Sequence, residues 1–214
     1  MKPTIALDAD GVLLDYHHAY AGAWERAFGH RPALRDAKAY WPMDRWDVQR
    51  VSGDALEQLR ACFDESFWRT IPALPGALAA CQRLVDAGFR LVCVSAVDAK
   101  FAAAREQNLA ALGFPLDGLV ATGNVVVGVS PKAAALVKLG PVAFVDDYLP
   151  YHLGVPGSIH RALILREPNG SPNAGPELAA VDSLHPDLAG FVDSWLQRVS
   201  PSFPSCGASH VRAR

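Results

Sequence analysis

The stretch "TIALDADGVLLD", residues 4–15, decides how the rest of the chain is read. An apolar run of strand length closes on two carboxylates, Asp8 and Asp10, two residues apart, and Gly11 follows. An ionised carboxylate avoids the end of a buried strand unless something pairs with it. In an open parallel sheet that end is where ligands bind. The pair therefore marks the edge of a sheet and, with it, a candidate site.

Further apolar runs recur downstream. Strands are expected at Thr4–Ala9, Arg90–Ala96, Gly118–Thr122, Val142–Val145 and Ala162–Leu165. They are nearly continuously apolar, as strands covered on both faces should be. Helices are expected between them at Pro75–Ala87, Ala99–Leu112 and Pro131–Leu139, with a last one at Leu188–Val199. Pro75 is placed in a first turn and Gly88 after a last one, the usual asymmetry of helix ends. Alternation of this kind predicts an α/β fold with a parallel, Rossmann-like sheet.

Residues 16–74 break the alternation. Helical signals dominate at His18–Phe28 and Asp54–Trp68, and ten of the nineteen aromatic residues lie between Tyr16 and Trp68. The segment reads as a small helical cap inserted after the first strand, with most of its aromatics forming a core of its own. The expected division is a core of 1–15 and 75–199, a cap of 16–74, and a Ser- and Pro-rich tail of 200–214 without fixed structure.

Composition narrows the function classes. The chain has 214 residues and a net charge of −2, which offers a nucleic-acid polymer or a membrane surface no electrostatic footing. No run approaches the ~18 apolar residues of a membrane span. A strand starting directly after "MKP" leaves no room for a secretory signal. Cys62, Cys81, Cys93 and Cys206 form no CxxC pair, so neither structural zinc nor a disulfide framework is expected, and a cytoplasmic protein is. The oligomeric state, a homodimer included, is not readable.

Three of the five expected strands end in polar groups that carry chemistry. The first ends at Asp8 and Asp10, the second at Ser95, and the fourth at Asp146 and Asp147; Lys132 opens the helix candidate just before the fourth. Three or more carboxylates at one edge repel one another unless a cation joins them, and oxygen-only ligands suit magnesium. A hydroxyl and an ammonium beside them suit the oxygens of a phosphate, and the set as a whole suits phosphoryl transfer. Gly11 lets the backbone pass close to such an anion. An EF-hand is excluded, since Val12 and Ala19 stand where that loop needs oxygens. Lys138 competes with Lys132, which the helix start at "SPK" favours.

These residues resemble the four motifs of the haloacid dehalogenase-like (HAD) hydrolase superfamily. "DADGVLLD" is similar to its DxDGVxxD motif, "LVCVS" to its strand ending in Ser or Thr, Lys132 to its third motif and "AFVDD" to its acidic fourth. The resemblance implies Asp8 as nucleophile, Asp10 as acid and base, and Ser95 and Lys132 on the phosphoryl oxygens. It implies Mg2+ held by Asp8, the Asp10 carbonyl, Asp146 and Asp147. Asp10 implies the phosphatase branches, where an acid follows the nucleophile by two residues.

"DGVLLDY", "YWPM", "SFWRTIPALPGALAACQRL" and "FVDDYLPY" further resemble the 5'(3')-deoxyribonucleotidase branch, although "SAVDAKF" lacks the proline expected after the hydroxyl residue. That resemblance implies a nucleoside monophosphate whose base stacks on cap aromatics, with Tyr16, Phe67 and Trp68 as candidates. Of the adjacent Phe67 and Trp68, only one can face inward from a helix. The alternatives are a sugar phosphate or other small phosphorylated metabolite, and a protein that uses the site only for binding or regulation.

Overall fold

Alternate residues of the first strand face opposite sides of the sheet, and both sides are buried. The computed structural model describes residues 2–126 and 128–199, so the tail expected over 200–214 lies outside the described residues. Six strands, β1 (Thr4–Leu7), β2 (Arg90–Ser95), β3 (Leu119–Ala121), β4 (Ala143–Asp146), β5 (His160–Ile164) and β6 (Ser183–His185), pair in parallel in the order β3-β2-β1-β4-β5-β6. Ile5 and Leu7 join a cluster with Cys93, Val145 and Ile164 on one side; Ala6 joins Val92, Val94 and Phe144 on the other. Helices α5 (Ala77–Asp86) and α8 (Leu188–Val199) cover the first side through Leu84 and Phe191, and α7 (Ala133–Leu139) covers the second through Leu136. This is the expected α/β, Rossmann-like architecture.

Several boundaries move for local reasons. β1 stops at Leu7 rather than Ala9, because the Ala9 carbonyl is drawn into a turn that accepts the Leu13 and Leu14 amides at 2.8 Å each. Helix α5 begins at Ala77, since Gly76 before it adopts a left-handed φ of 78°, so Pro75 precedes the helix instead of opening it. The helix expected over Asp54–Trp68 is two, α3 (Gly53–Ala61) and α4 (Glu65–Arg69), because Asp64 caps the second by accepting the Phe67 amide at 2.9 Å. The stretch Ala99–Leu112 opens with a 3-10 turn before α6 (Ala102–Ala111). Strand β6 was not foreseen; three residues at a sheet edge, one exposed, carry no apolar run.

Residues 16–74 leave the end of β1 as α1 (Tyr16–Phe28), α2 (Pro42–Arg45), α3 and α4. Tyr20, Trp24, Ala27, Val48 and Leu59 form a cluster within this segment, while Phe67 and Ile71 pack into the main core. The segment is tied back to the loop after β5: the Tyr40 amide donates to the Asn169 carbonyl at 2.9 Å, and the Asn169 amide to the Lys38 carbonyl at 3.0 Å. Cys62, Cys81 and Cys93 are free thiols. No helix among the described residues is long and apolar enough to cross a membrane.

Candidate active site

Strand β1 lies between β2 and β4 in the sheet, although β2 follows it in sequence and β4 comes much later. Such a reversal of strand order opens a crevice at the carboxyl ends. Here it brings Asp8, Ser95 and Asp146 to three neighbouring strand ends. Asp8, Asp146 and Asp147 are buried, and each offers a carboxylate oxygen within 4.8 Å of the others. Lys132, just before α7, is fully buried and places its ammonium 2.6 Å from Asp8 Oδ1 and 2.6 Å from Asp146 Oδ2. Lys138 is exposed, so of the two lysines only Lys132 reaches the carboxylates. The Ser95 hydroxyl is buried without a hydrogen-bond partner among the described residues.

Two arginines complete the charge pattern. Arg105 on α6 donates to Asp10 Oδ2 at 2.7 Å, and Arg166 after β5 donates to Asp147 Oδ2 at 2.9 Å. Four carboxylates therefore face three fixed cations. Burial raises the Asp146 carboxyl well above its ordinary range against the pull of Lys132. It pushes Asp147 up to about 6, with Arg166 opposing. Asp10 is likewise raised by burial, with Arg105 opposing and Asp8 adding to the rise. Burial alone would lower the Lys132 ammonium, yet Asp146 and Asp8 hold it above its usual value.

This is a cluster short of positive charge. An all-oxygen donor set from Asp8, Asp146 and Asp147 fits a hard divalent cation. Gly11 permits the arrangement: its φ is 84°, and a Cβ there would overlap the Asp147 carboxylate and lie 2.8 Å from Arg166 Nη2.

The carboxylates open onto a cavity of about 720 Å³ whose wall includes Asp8, Asp10, Gly11 and Asp147. Lys132, Asp146 and Ser95 stand behind that wall, not on it. Of the three aromatics expected to bind substrate, Tyr16 and Trp68 line the cavity. Phe67 does not: it is buried in the main core, edge-on to Tyr16 at 5.7 Å and to Phe63 at 4.9 Å. Trp68 is itself well covered, with the Arg105 guanidinium 5.0 Å and the Phe101 ring 5.8 Å from its ring centroid.

Residues 2–130 match the family described as "5' nucleotidase, deoxy (Pyrimidine), cytosolic type C protein". The chain belongs to this 5'-nucleotidase family. The match stops before Lys132, Asp146 and Asp147, which the fold returns to the same edge. No curated protein sequence matches the chain.

Solved HAD structures share this chain's fold. A haloacid dehalogenase-like family hydrolase from Streptococcus pneumoniae is 16% identical with a TM-score of 0.62, covering 91% of this chain and 98% of its own. A HAD family hydrolase from Deinococcus radiodurans R1, solved with bound phosphate and sodium, is 15% identical with a TM-score of 0.62, covering 92% and 96%. The L-2-haloacid dehalogenase from Xanthobacter autotrophicus, with chloropropionic acid covalently bound, is 16% identical with a TM-score of 0.58, covering 94% and 100%. The chain thus has a HAD-like fold and, by its family, is a hydrolase of the phosphatase type.

Sequence reading missed several residues at this candidate site. Arg105 sits in "AAAREQN" and looks like any solvated helix arginine, and Arg166 opens a turn-rich loop. Tyr40, Trp41, Tyr148 and Tyr151 line the cavity. Tyr40 and Tyr148 stack at 6.5 Å and 22°, with Trp41 edge-on to Tyr40 at 5.0 Å. Their signal was present in "YWPM" and "DDYLPY", next to the acidic motif.

Proposed function

We propose that the protein is a magnesium-dependent phosphomonoester hydrolase that works through an aspartyl-phosphate and acts on nucleoside (deoxy)monophosphates. The observation that carries the reading is the buried Asp8–Lys132–Asp146 bridge beside Asp147, opening onto an aromatic-walled cavity. Asp8, Asp146, Asp147 and the Asp10 carbonyl would hold Mg2+. When bound, the ion supplies charge neutralisation at the phosphoryl oxygens.

The chain's own residues do the rest. An Asp8 carboxylate oxygen attacks phosphorus as the ester P–O bond breaks, and Asp10 gives its proton to the departing alcohol oxygen. Asp10 then takes a proton from a water whose oxygen attacks phosphorus, breaking the bond to Asp8 and releasing phosphate. A positioned acid–base group of this kind is worth ~10²–10⁴-fold in rate. Two Lys132 N–H groups are engaged by Asp8 and Asp146, which leaves the third for a phosphoryl oxygen. The unpartnered Ser95 hydroxyl serves the same purpose.

A cavity of about 720 Å³ suits a nucleotide-sized ligand. Trp41, 42% exposed yet lining the cavity, offers a freer ring than Trp68, and a base stacked on it would gain ~1–3 kcal/mol. The family's description supports both the nucleotide substrate and a cytoplasmic location.

Phosphate release measured across deoxyribonucleotides, ribonucleotides and sugar phosphates, with Mg2+ and with chelator, tests the reading. Preferred hydrolysis of nucleotides that stops with chelator is expected. Equal or better hydrolysis of sugar phosphates would overturn the substrate, and turnover by Asp8→Asn the nucleophile.

A further inference from the structure

The Asp10 carboxylate has a single hydrogen-bond partner among the described residues. Arg105 Nη2 donates to its Oδ2 at 2.7 Å, while Oδ1 has no partner at all. Asp10 lines the cavity with 29% of its side chain exposed, so the bond from Arg105 is the one hydrogen bond that sets the direction of the carboxylate. The relationship is reciprocal. Arg105 is fully buried, and among the described residues its Nε and Nη1 have no partner and its one ion pair is with Asp10.

Burying a guanidinium for the sake of one carboxylate oxygen opposes stability, because desolvation is repaid only when the remaining donors are satisfied. The arginine is nevertheless held firmly. The Trp68 ring lies over it at 5.0 Å, and one turn on along α6 Asn108 donates to the Ile71 carbonyl at 3.0 Å, with Leu109 in the main core. A rigid side chain that supplies the one hydrogen bond directing a carboxylate is what a proton-transfer group needs, since loose placement forfeits rate.

We propose that Arg105 is the positioning residue of this hydrolase, aiming the Asp10 carboxylate at the leaving-group oxygen from the back wall of the cavity. The assignment rests on the acid–base role of Asp10 proposed above. It also accounts for Trp68, whose indole shields and orients Arg105.

The test compares kcat/KM for 2'-deoxyuridine 5'-monophosphate, whose alkoxide must be protonated to leave, with kcat/KM for 4-nitrophenyl phosphate, whose phenolate departs without a proton. Both constants report steps up to departure of the alcohol. Arg105→Met is expected to raise the nitrophenyl-to-nucleotide ratio at least ~10-fold, part of the ~10²–10⁴ available to an acid. It is expected to have no further effect in an Asp10→Asn background, since positioning has no meaning once the acid is gone.

Equal losses on both esters, or an additional loss on top of Asp10→Asn, would overturn the role of Arg105 and leave a merely structural arginine. Arg105→Gln keeps most of the volume and a donor; it is judged by the same two criteria should the Met variant fail to fold. A flat ratio in Asp10→Asn itself overturns the acid reading of Asp10. A raised ratio there with a flat one in the Arg105 variants overturns Arg105 alone.

Discussion

The Lys132 ammonium stands 2.6 Å from the Asp8 carboxylate, and both groups are buried. Since the same nitrogen also meets Asp146 at 2.6 Å, one lysine neutralises two strand ends at once. Lys132→Met would leave two buried carboxylates without their counter-charge, which costs about 3–5 kcal/mol when one partner of a buried pair is removed. Chemical denaturation should show that loss. A midpoint equal to wild type would mean that the bridge does not hold the site together.

Gly11 passes against Asp147 and Arg166 with a left-handed φ of 84°. Gly11→Ala adds about 1–2 kcal/mol of backbone strain and displaces the Asp147 carboxylate. Phosphate release should fall by roughly a hundredfold, the usual consequence of a displacement of about 1 Å at a reacting centre. Activity within a few-fold of wild type would show that Asp147 is dispensable.

Arg166 is a fixed cation on one of the candidate metal ligands. Removing it in Arg166→Met should tighten Mg2+ binding by about fivefold or more, because like charges at this range repel by over 1 kcal/mol even in a partly screened site. Calorimetric titration reads the affinity without turnover. Unchanged or weaker binding would instead make Arg166 an organiser of Asp147.

Trp41 and Trp68 face the same cavity in different states of cover. Trp41→Ala should raise KM for nucleoside monophosphates by roughly 5- to 150-fold, the value of ~1–3 kcal/mol of stacking, and leave KM for a small alkyl phosphate nearly unchanged. Trp68→Ala should impair both substrates alike, because it uncovers Arg105. The reverse pattern would return the base to Trp68, where the sequence first suggested it.

His17 is buried in α1, donates Nε2–H to the Tyr40 carbonyl at 2.8 Å and lies 3.7 Å from Glu167. Burial lowers its pKa from 6.5 to about 4. The folded state thus holds this ring neutral over a range in which the unfolded chain protonates it. Stability is expected to fall as pH drops from about 6.5 to about 4, by up to roughly 3 kcal/mol, and His17→Gln should lose that component. Urea midpoints at three pH values, compared between the two proteins, check it; identical slopes would refute the neutral, buried imidazole.

The alternating apolar runs and the helix ends were legible because they depend on local patterning. Leu188–Val199 forms as expected, and "DADG" closes the first strand at the sheet edge. The departures are also local: Asp64 caps a helix that splits one expected element, and Gly76 delays another. The short strand Ser183–His185 carries too little apolar signal to be seen without its neighbour Ala162–Ile164.

By itself the sequence determined which groups end the strands, since a carboxylate after an apolar run is fixed by its covalent neighbours. Only the tertiary structure decided which of them meet, because Lys132, Arg105 and Arg166 reach Asp8, Asp10 and Asp147 across chain separations that no periodicity encodes. The same holds for the aromatics: whether Phe67, Trp68 or Trp41 faces a ligand depends on how α4 and the segment before α2 pack over the sheet. Apolar rings look alike in a sequence, and burial is shared out among them only when the whole chain closes.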